Sequence, residues 1–176
     1  MALKSTPSRY GAVALTIHWL IALAILVLLA LGFRAASLEG ADKIGVLSAH
    51  VPLGTVVLIL TLARIAWWWF ADTKPPPVTA TPRLQSLAAR AIHILFYVTI
   101  LVMAGSGLAL VLLSGAGEVL RSGEGVLPDF WDFGPRGGHY VGARMMVVLM
   151  VIHIGAALYH HYVKHDATLR RMLGRT

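Results

Sequence analysis

Hydrophobic residues occur in four long stretches, and most polar residues lie between them. The stretches cover about residues 12–33, 47–70, 91–113 and 139–163. A helix needs about 20 apolar residues to cross the hydrocarbon core of a bilayer, and each stretch is that long. Helices also satisfy their own backbone hydrogen bonds, as lipid requires. The pattern therefore predicts an all-α integral membrane four-helix bundle, with a single membrane domain over residues 1–176.

The links between these stretches are short, except for the third. The second link contains Lys74-Pro75-Pro76-Pro77, which predicts a stiff, extended spacer outside the bilayer. The third link runs from Ser114 to Gly138 and contains Phe130-Trp131-Asp132-Phe133. Aromatic side chains concentrate at membrane interfaces, so we expect this cluster at the interface or over the outer face.

Composition and charge support a membrane protein and set its orientation. Of the 176 residues, 57% are hydrophobic and only 13% are charged, whereas soluble domains carry about 25% charged residues. The net charge of +7 divides unevenly between the two sides of the predicted bundle, with +8 on the side of both termini and −1 on the other. Because positive loops stay inside, both termini are expected in the cytoplasm. The basic balance thus describes orientation, and no nucleic-acid partner is expected.

The histidines are the candidate functional residues of this chain. The sequence has no Cys, which excludes zinc–thiolate sites and Cys-ligated iron–sulfur clusters, and it has eight His. An ionisable side chain within a membrane helix is a functional candidate by default. The competing interpretation for a lone His is a hydrogen bond between helices.

Four of the histidines fall into two layers at different depths. His139 and His153 lie 14 residues apart on one helix, which places them about 21 Å apart along the axis and only about 40° apart around it. Helix direction puts His50 with His139 in an outer layer and His18 with His153 in an inner layer. Two imidazoles from different helices of a bundle can hold one haem iron, so we expect two stacked b-type haems and an electron path across the membrane.

Other arrangements of the histidines stay open. His93 also lies in the inner half, where it is an alternative ligand in place of His18 or His153, or a contact of a haem propionate or a quinone. His160 lies two turns after His153 and is a candidate for the quinone side, and we assign no role to His161 or His165. A haem-free metal transporter is the competing class. It needs converging ligands, usually with carboxylates, and no acidic residue lies within a predicted span.

Several cations lie near the two layers. Arg144, Arg136 and Lys43 are expected near the outer layer, where they would attract a small anionic substrate. Arg144 and, at the inner layer, Arg64 are candidates to pair with haem propionates. The alternative for each is ordinary snorkelling to the interface.

The chain resembles the bacterial cytochrome b561 family over nearly its whole length. The resemblance rests on Ile17-His18-Trp19-Leu20, on His50 with Gly54, on the His139–His153 spacing and on the tail from His153 to Met172. It implies four helices that hold two haem b groups, with ligand pairs His18/His153 and His50/His139, in the bacterial inner (cytoplasmic) membrane. It also implies a superoxide oxidase, which passes electrons from periplasmic superoxide to ubiquinone bound near His160. The long third link departs from the family pattern.

Two redox functions remain as hypotheses. The first is a stand-alone oxidoreductase that oxidises superoxide outside and reduces ubiquinone inside. The second is a membrane-anchor cytochrome b subunit that relays electrons from a periplasmic dehydrogenase or hydrogenase to quinone. The short chain, without long soluble segments, favours the first.

Overall fold

Four long helices make up most of the computed structural model, which describes residues 2–77 and 82–175. Within these ranges the protein is all-helical, without a β-strand. Four helices are long and apolar enough to cross a membrane, so the predicted fold class is confirmed. The helices are α1 (Ala12–Ala36), α2 (Gly40–Ala66, continued by a π-helical turn Trp67–Ala71), α3 (Arg83–Ser114), α4 (Ala116–Ser122), α5 (Pro135–Tyr162) and α6 (Thr168–Met172).

Two of the long helices begin well before the apolar stretches from which they were predicted. Helix α2 begins at Gly40 and α3 at Arg83, each about two turns before the corresponding stretch. Hydropathy identifies only the part of a helix that lies in the hydrocarbon core, whereas the helix itself continues into the polar interface. The third link is partly ordered as α4 and a 3₁₀ turn at Phe130–Asp132.

The long helices pack as two antiparallel hairpins. Helix α1 packs mainly against α2, and α3 packs mainly against α5. The backbones of the two hairpins come closest where α2 packs against α3, whereas the backbone of α5 stays farther from α1 and α2. Contact between α5 and the first hairpin is therefore made mainly by side chains.

A buried apolar layer lies halfway along the bundle. It consists of one residue from each long helix, and each of the four is less than 9% exposed: Ile25, Val57, Ile100 and Met146. These positions follow His18, His50, His93 and His139 by seven residues each, or about 10.5 Å along each helix axis. The middle layer thus separates the two histidine layers with close-packed hydrocarbon.

The two chain ends meet at one end of the bundle. Arg171 of α6 is buried and donates hydrogen bonds to the carbonyl oxygens of Pro76 and Pro7. The indole N–H of Trp19 donates to the carbonyl of Met172, which ties α6 to α1. These contacts hold the N-terminal segment, the proline link and the C-terminal helix together below the inner histidines.

Asp72 fixes the N-terminal segment to the end of α2. Its carboxylate accepts hydrogen bonds from the backbone and hydroxyl of Ser5 and from the indole of Trp67. Burial alone would raise the pKa of Asp72, but these hydrogen bonds lower it overall. The carboxylate is thus ionised, and its hydrogen bonds come from the neutral donors of Ser5 and Trp67.

Candidate haem sites

The outer histidines face each other across the bundle. The ring centres of His50 and His139 are 6.2 Å apart, and their planes are inclined by 67°. Nδ1 of His139 lies 2.9 Å from the carbonyl oxygen of Met103, which can only accept, so Nδ1 carries the proton. The hydroxyl of Ser106 lies 3.2 Å from the same nitrogen. This arrangement leaves Nε2 of His139 unprotonated and able to bind a metal.

The inner histidines form a second pair of similar geometry. The ring centres of His18 and His153 are 6.4 Å apart, with planes inclined by 65°. His93 lies closer to His153, at 5.5 Å between ring centres, and its Nδ1 donates to the carbonyl of Ala89 at 2.6 Å. Three imidazoles therefore meet at the inner layer, against two at the outer layer.

The spacing within both pairs suits one iron ion between two imidazoles. Bonds of about 2 Å from the metal to each nitrogen, with each ring centre about 1 Å behind its nitrogen, put the ring centres about 6 Å apart. The distance between His93 and His153 is shorter than this separation. Among His18 and His93, His18 therefore lies at the better distance to share a metal with His153.

Three further observations agree with a bound macrocycle. The backbone of α5 stays apart from those of α1 and α2, which carry the facing histidines, so side chains rather than backbone fill the region around each pair. The outer space is bordered by Gly54, Ala104 and Ala143 beside His50 and His139. Nδ1 of His50 is buried and has no hydrogen-bond partner among the described residues. A buried polar atom without a partner calls for an explanation, and a side chain that ligates a bound group is one.

Two arginines line the outer space and lie on aromatic rings. The guanidinium of Arg144 is 3.3 Å from the ring centre of Tyr140, and that of Arg136 is 4.7 Å from Trp131. The two rings lie in tilted contact, with centres 5.4 Å apart and planes inclined by 59°, which makes a continuous row of cation, ring, ring and cation. No acidic side chain in the described ranges pairs with either arginine. An aromatic face holds a cation without neutralising its charge, so both charges remain available to an anion.

The remaining outer candidate lies farther from this space. Lys43 is two turns before His50 on α2, and its side chain is not among those that border the outer space. The structure therefore groups Arg136 and Arg144 with the outer pair and leaves Lys43 nearer the surface.

The inner layer carries its own cations, one of which sequence reasoning missed. Arg64 donates to the carbonyl of Ala14 beside the inner histidines. The ammonium of Lys74, in the proline link, lies 5.5 Å from the ring centre of Trp68. Burial, and then the charge of the nearby Arg64, lower the pKa of Lys74. The proline link thus brings a second cation into the neighbourhood of Arg64, which the sequence alone did not show.

His160 is held by partners on two elements. Its Nδ1 lies 2.5 Å from the carboxylate of Asp166, whose side chain is only 6% exposed, and its Nε2 lies 2.9 Å from Gln85 of α3. His165 adopts a left-handed conformation (φ 51°), which turns the chain so that Asp166 reaches back to His160. Burial would raise the pKa of Asp166, but the hydrogen bonds from His160 and Thr168 lower it to about 2. Gln85 and Asp166 are functional candidates that sequence reasoning missed.

The structure adds no ligand role for the other histidines. His161 packs its ring against Tyr162 near the end of α5, and His165 serves the turn described above. Neither side chain joins the inner or the outer pair.

Facing histidines within four membrane-spanning helices are the arrangement that a membrane-bound b-type cytochrome requires. The sequence profile of the prokaryotic cytochrome b561 family matches residues 9–175. The chain belongs to that family, whose members are bacterial membrane proteins that bind haem and transfer electrons.

Curated relatives cover nearly the whole chain. Cytochrome b561 homolog 2 of Escherichia coli is 29% identical over all of this chain and 97% of its own length. Cytochrome b561 homolog 1 of the same organism is 29% identical over 96% of this chain and 98% of its own. A probable superoxide oxidase, CybB, of Yersinia pestis is 26% identical over 94% of this chain and 96% of its own.

Proposed function

We propose that this protein holds two haem b groups and passes electrons from superoxide to ubiquinone across the bacterial inner membrane. His50 and His139 would ligate the outer haem, and His18 and His153 the inner haem. The whole chain, residues 1–176, would act as one membrane unit with both termini in the cytoplasm. The outer layer then faces the periplasm.

One observation carries this proposal: two histidine pairs, each spaced for one metal ion, lie at opposite depths of one bundle. Two redox centres stacked across a bilayer are an arrangement for transmembrane electron transfer. A relative named as a probable superoxide oxidase supports the finer reaction.

The outer residues would attract and position the electron donor. Each haem iron, when bound, supplies a centre that takes up and releases one electron. Superoxide is a small anion that loses one electron to become dioxygen. Arg136 and Arg144, which carry uncompensated charges beside the outer pair, would raise its local concentration there. They are also placed to pair with haem propionates.

The inner residues would serve the acceptor. Two superoxide ions supply the two electrons that convert one ubiquinone to ubiquinol, and two protons must come from the cytoplasm. His160 would donate to a quinone oxygen through Nε2, because Asp166 holds its Nδ1 and the quinone oxygen would take the place of the Gln85 amide at Nε2. His93, which lies beside His153, would contact a propionate or the quinone, and Arg64 with Lys74 would bind the inner propionates.

Replacing Asp166 by Asn should slow quinone reduction by roughly tenfold, within the range expected for general acid–base groups. The amide keeps the size of the side chain but removes the negative charge that holds Nδ1 of His160. The rate of haem reoxidation by a ubiquinone analogue should fall, because the imidazole is then no longer fixed toward the quinone. Haem content should stay unchanged. An unaltered rate would show that the Asp166–His160 contact is only structural.

The folded-state pKa of Asp166 also gives a pH limit for this contact. Because its pKa is lowered from 3.8 to about 2, the carboxylate stabilises the fold above pH 4, and that contribution is lost as the pH falls toward 2. The contact therefore persists throughout the physiological range.

Stopped-flow mixing of the oxidised protein with superoxide tests the whole proposal. We expect b-type absorption bands to appear in the reduced spectrum and to decay when a ubiquinone analogue is added. A purified protein without a Soret band would overturn the haem assignment. Haems that stay oxidised in superoxide, but are reduced by an added periplasmic dehydrogenase, would favour the membrane-anchor subunit instead.

A further inference from the structure

Two glycines lie directly against the rings of the outer histidines. A Cβ atom at Gly32 of α1 would be 3.3 Å from Cε1 of His50 and 3.8 Å from its Nδ1. A Cβ atom at Gly107 of α3 would be 3.2 Å from Cε1 of His139 and 3.5 Å from its Nδ1. Carbon atoms pack best at about 3.5–4.0 Å, so any side chain at either position would push the ring away.

The two contacts are equivalent in the two hairpins. In each hairpin the histidine lies on the second long helix, and the glycine lies on the first helix, which is its main packing partner. Gly32 follows His18 by 14 residues, and Gly107 follows His93 by 14 residues. The outer layer therefore repeats one arrangement of glycine and histidine twice, with approximate two-fold symmetry.

The inner layer lacks these glycines. The positions 14 residues after His50 and His139 are Arg64 and His153, and no Cβ atom placed on a glycine in the described ranges has the ring of His18 or His153 among its nearest contacts within 4 Å. Aromatic side chains border the inner rings instead: Trp19, His93 and Phe96. Side chains can change rotamer to accommodate a shifted ring, whereas a helix backbone cannot.

We propose that Gly32 and Gly107 are positioning residues of the outer haem. Each places the Nδ1–Cε1 edge of a ligand ring against a helix backbone, which fixes the ring and keeps the two outer rings at the separation that one iron requires. For His139, the same contact brings Nδ1 to the Met103 carbonyl and leaves Nε2 for the metal. This inference rests on the proposed ligation by His50 and His139.

Valine at either position tests the inference, with glycines on the same hairpins as controls. Gly107→Val and Gly32→Val should each lower the haem-to-protein ratio from about two to about one. Gly105→Val and Gly45→Val should keep both haems, since nothing lies within 4 Å of a Cβ at these positions. Gly107→Ala should keep both haems but alter the electron paramagnetic resonance spectrum and midpoint potential of one of them.

Combining variants separates this inference from the ligation on which it rests. His139→Ala with Gly107→Val should hold as much haem as His139→Ala alone, because both changes act on one site. If His139→Ala removed a haem while both valine variants kept two with unchanged spectra, the positioning role would be wrong. Loss of both haems in Gly107→Val, with Gly105→Val intact, would also overturn it. If His139→Ala left both haems in place, the proposed ligation of the outer haem by His50 and His139 would itself be wrong.

Discussion

Replacing His139 by Ala should remove one haem, and replacing His18 by Ala should remove the other. Each substitution takes one ligand from a pair whose ring centres are 6.2 or 6.4 Å apart, and the two pairs lie about 21 Å apart along the bundle. Each variant should therefore bind about half of the wild-type haem. The haem-to-protein ratio gives the loss, and a redox titration shows that the surviving haem differs between the two variants.

His93 and His161 provide the comparisons for this experiment. His161→Ala should keep both haems, because its ring packs against Tyr162 near the end of α5, away from both pairs. His93→Ala should also keep both, since His93 lies closer to His153 than a shared metal requires. If His93→Ala lost a haem and His18→Ala did not, the inner ligand would be His93. If His139→Ala and His18→Ala lost the same haem, the assignment of two layers would be wrong.

Replacing Arg136 and Arg144 together by Gln should slow haem reduction by superoxide by tenfold or more at low ionic strength. Electrostatic steering raises association rates by about 10- to 1,000-fold, and these two guanidiniums have no acidic partner in the described ranges. Glutamine keeps a polar side chain of similar length but loses the charge. The second-order rate constant, measured over a series of salt concentrations, should lose most of its salt dependence.

Arg121 offers a matched control on the same side of the bundle. Its charge is paired with Glu118, so Arg121→Gln should leave the rate with superoxide unchanged. Haem content must be measured in parallel, because the arginines are also placed to pair with propionates. A double variant with both haems and an unchanged rate would show that the donor approaches elsewhere.

The sequence predicted the four membrane helices and the pairing of the histidines because both depend only on distances along a single helix. A membrane span is recognised by its number of consecutive apolar residues, and the depth of His18 or His153 follows from counting residues at a fixed rise per residue. Likewise, the 14-residue spacing of His139 and His153 fixes their common face without any knowledge of the other helices. The structure brings His18 to His153 and His50 to His139.

Features that depend on how helices turn toward each other were not predicted. Gly32 contributes to the outer layer only because α1 presents it to His50, and its identity alone suggests plain helix packing. Gln85 reaches His160 across two helices, and Asp166 reaches it through a turn at His165. Lys74 lies in a proline-rich link whose path has no periodic signal. To predict such contacts, the rotation of each helix about its own axis must be known, and the hydropathy of the sequence does not give this rotation.

The division of the bundle into two hairpins has a consequence for assembly in the membrane. His18 and His50 belong to the hairpin of α1 and α2, whereas His139 and His153 belong to the hairpin of α3 and α5. Each proposed ligand pair thus takes one histidine from each hairpin, and neither hairpin alone completes a site. Each haem would therefore cross-link the two hairpins through its two ligands. The free energy of haem binding would stabilise the packing of one hairpin against the other, so the supply of haem would govern whether the inserted helices remain together.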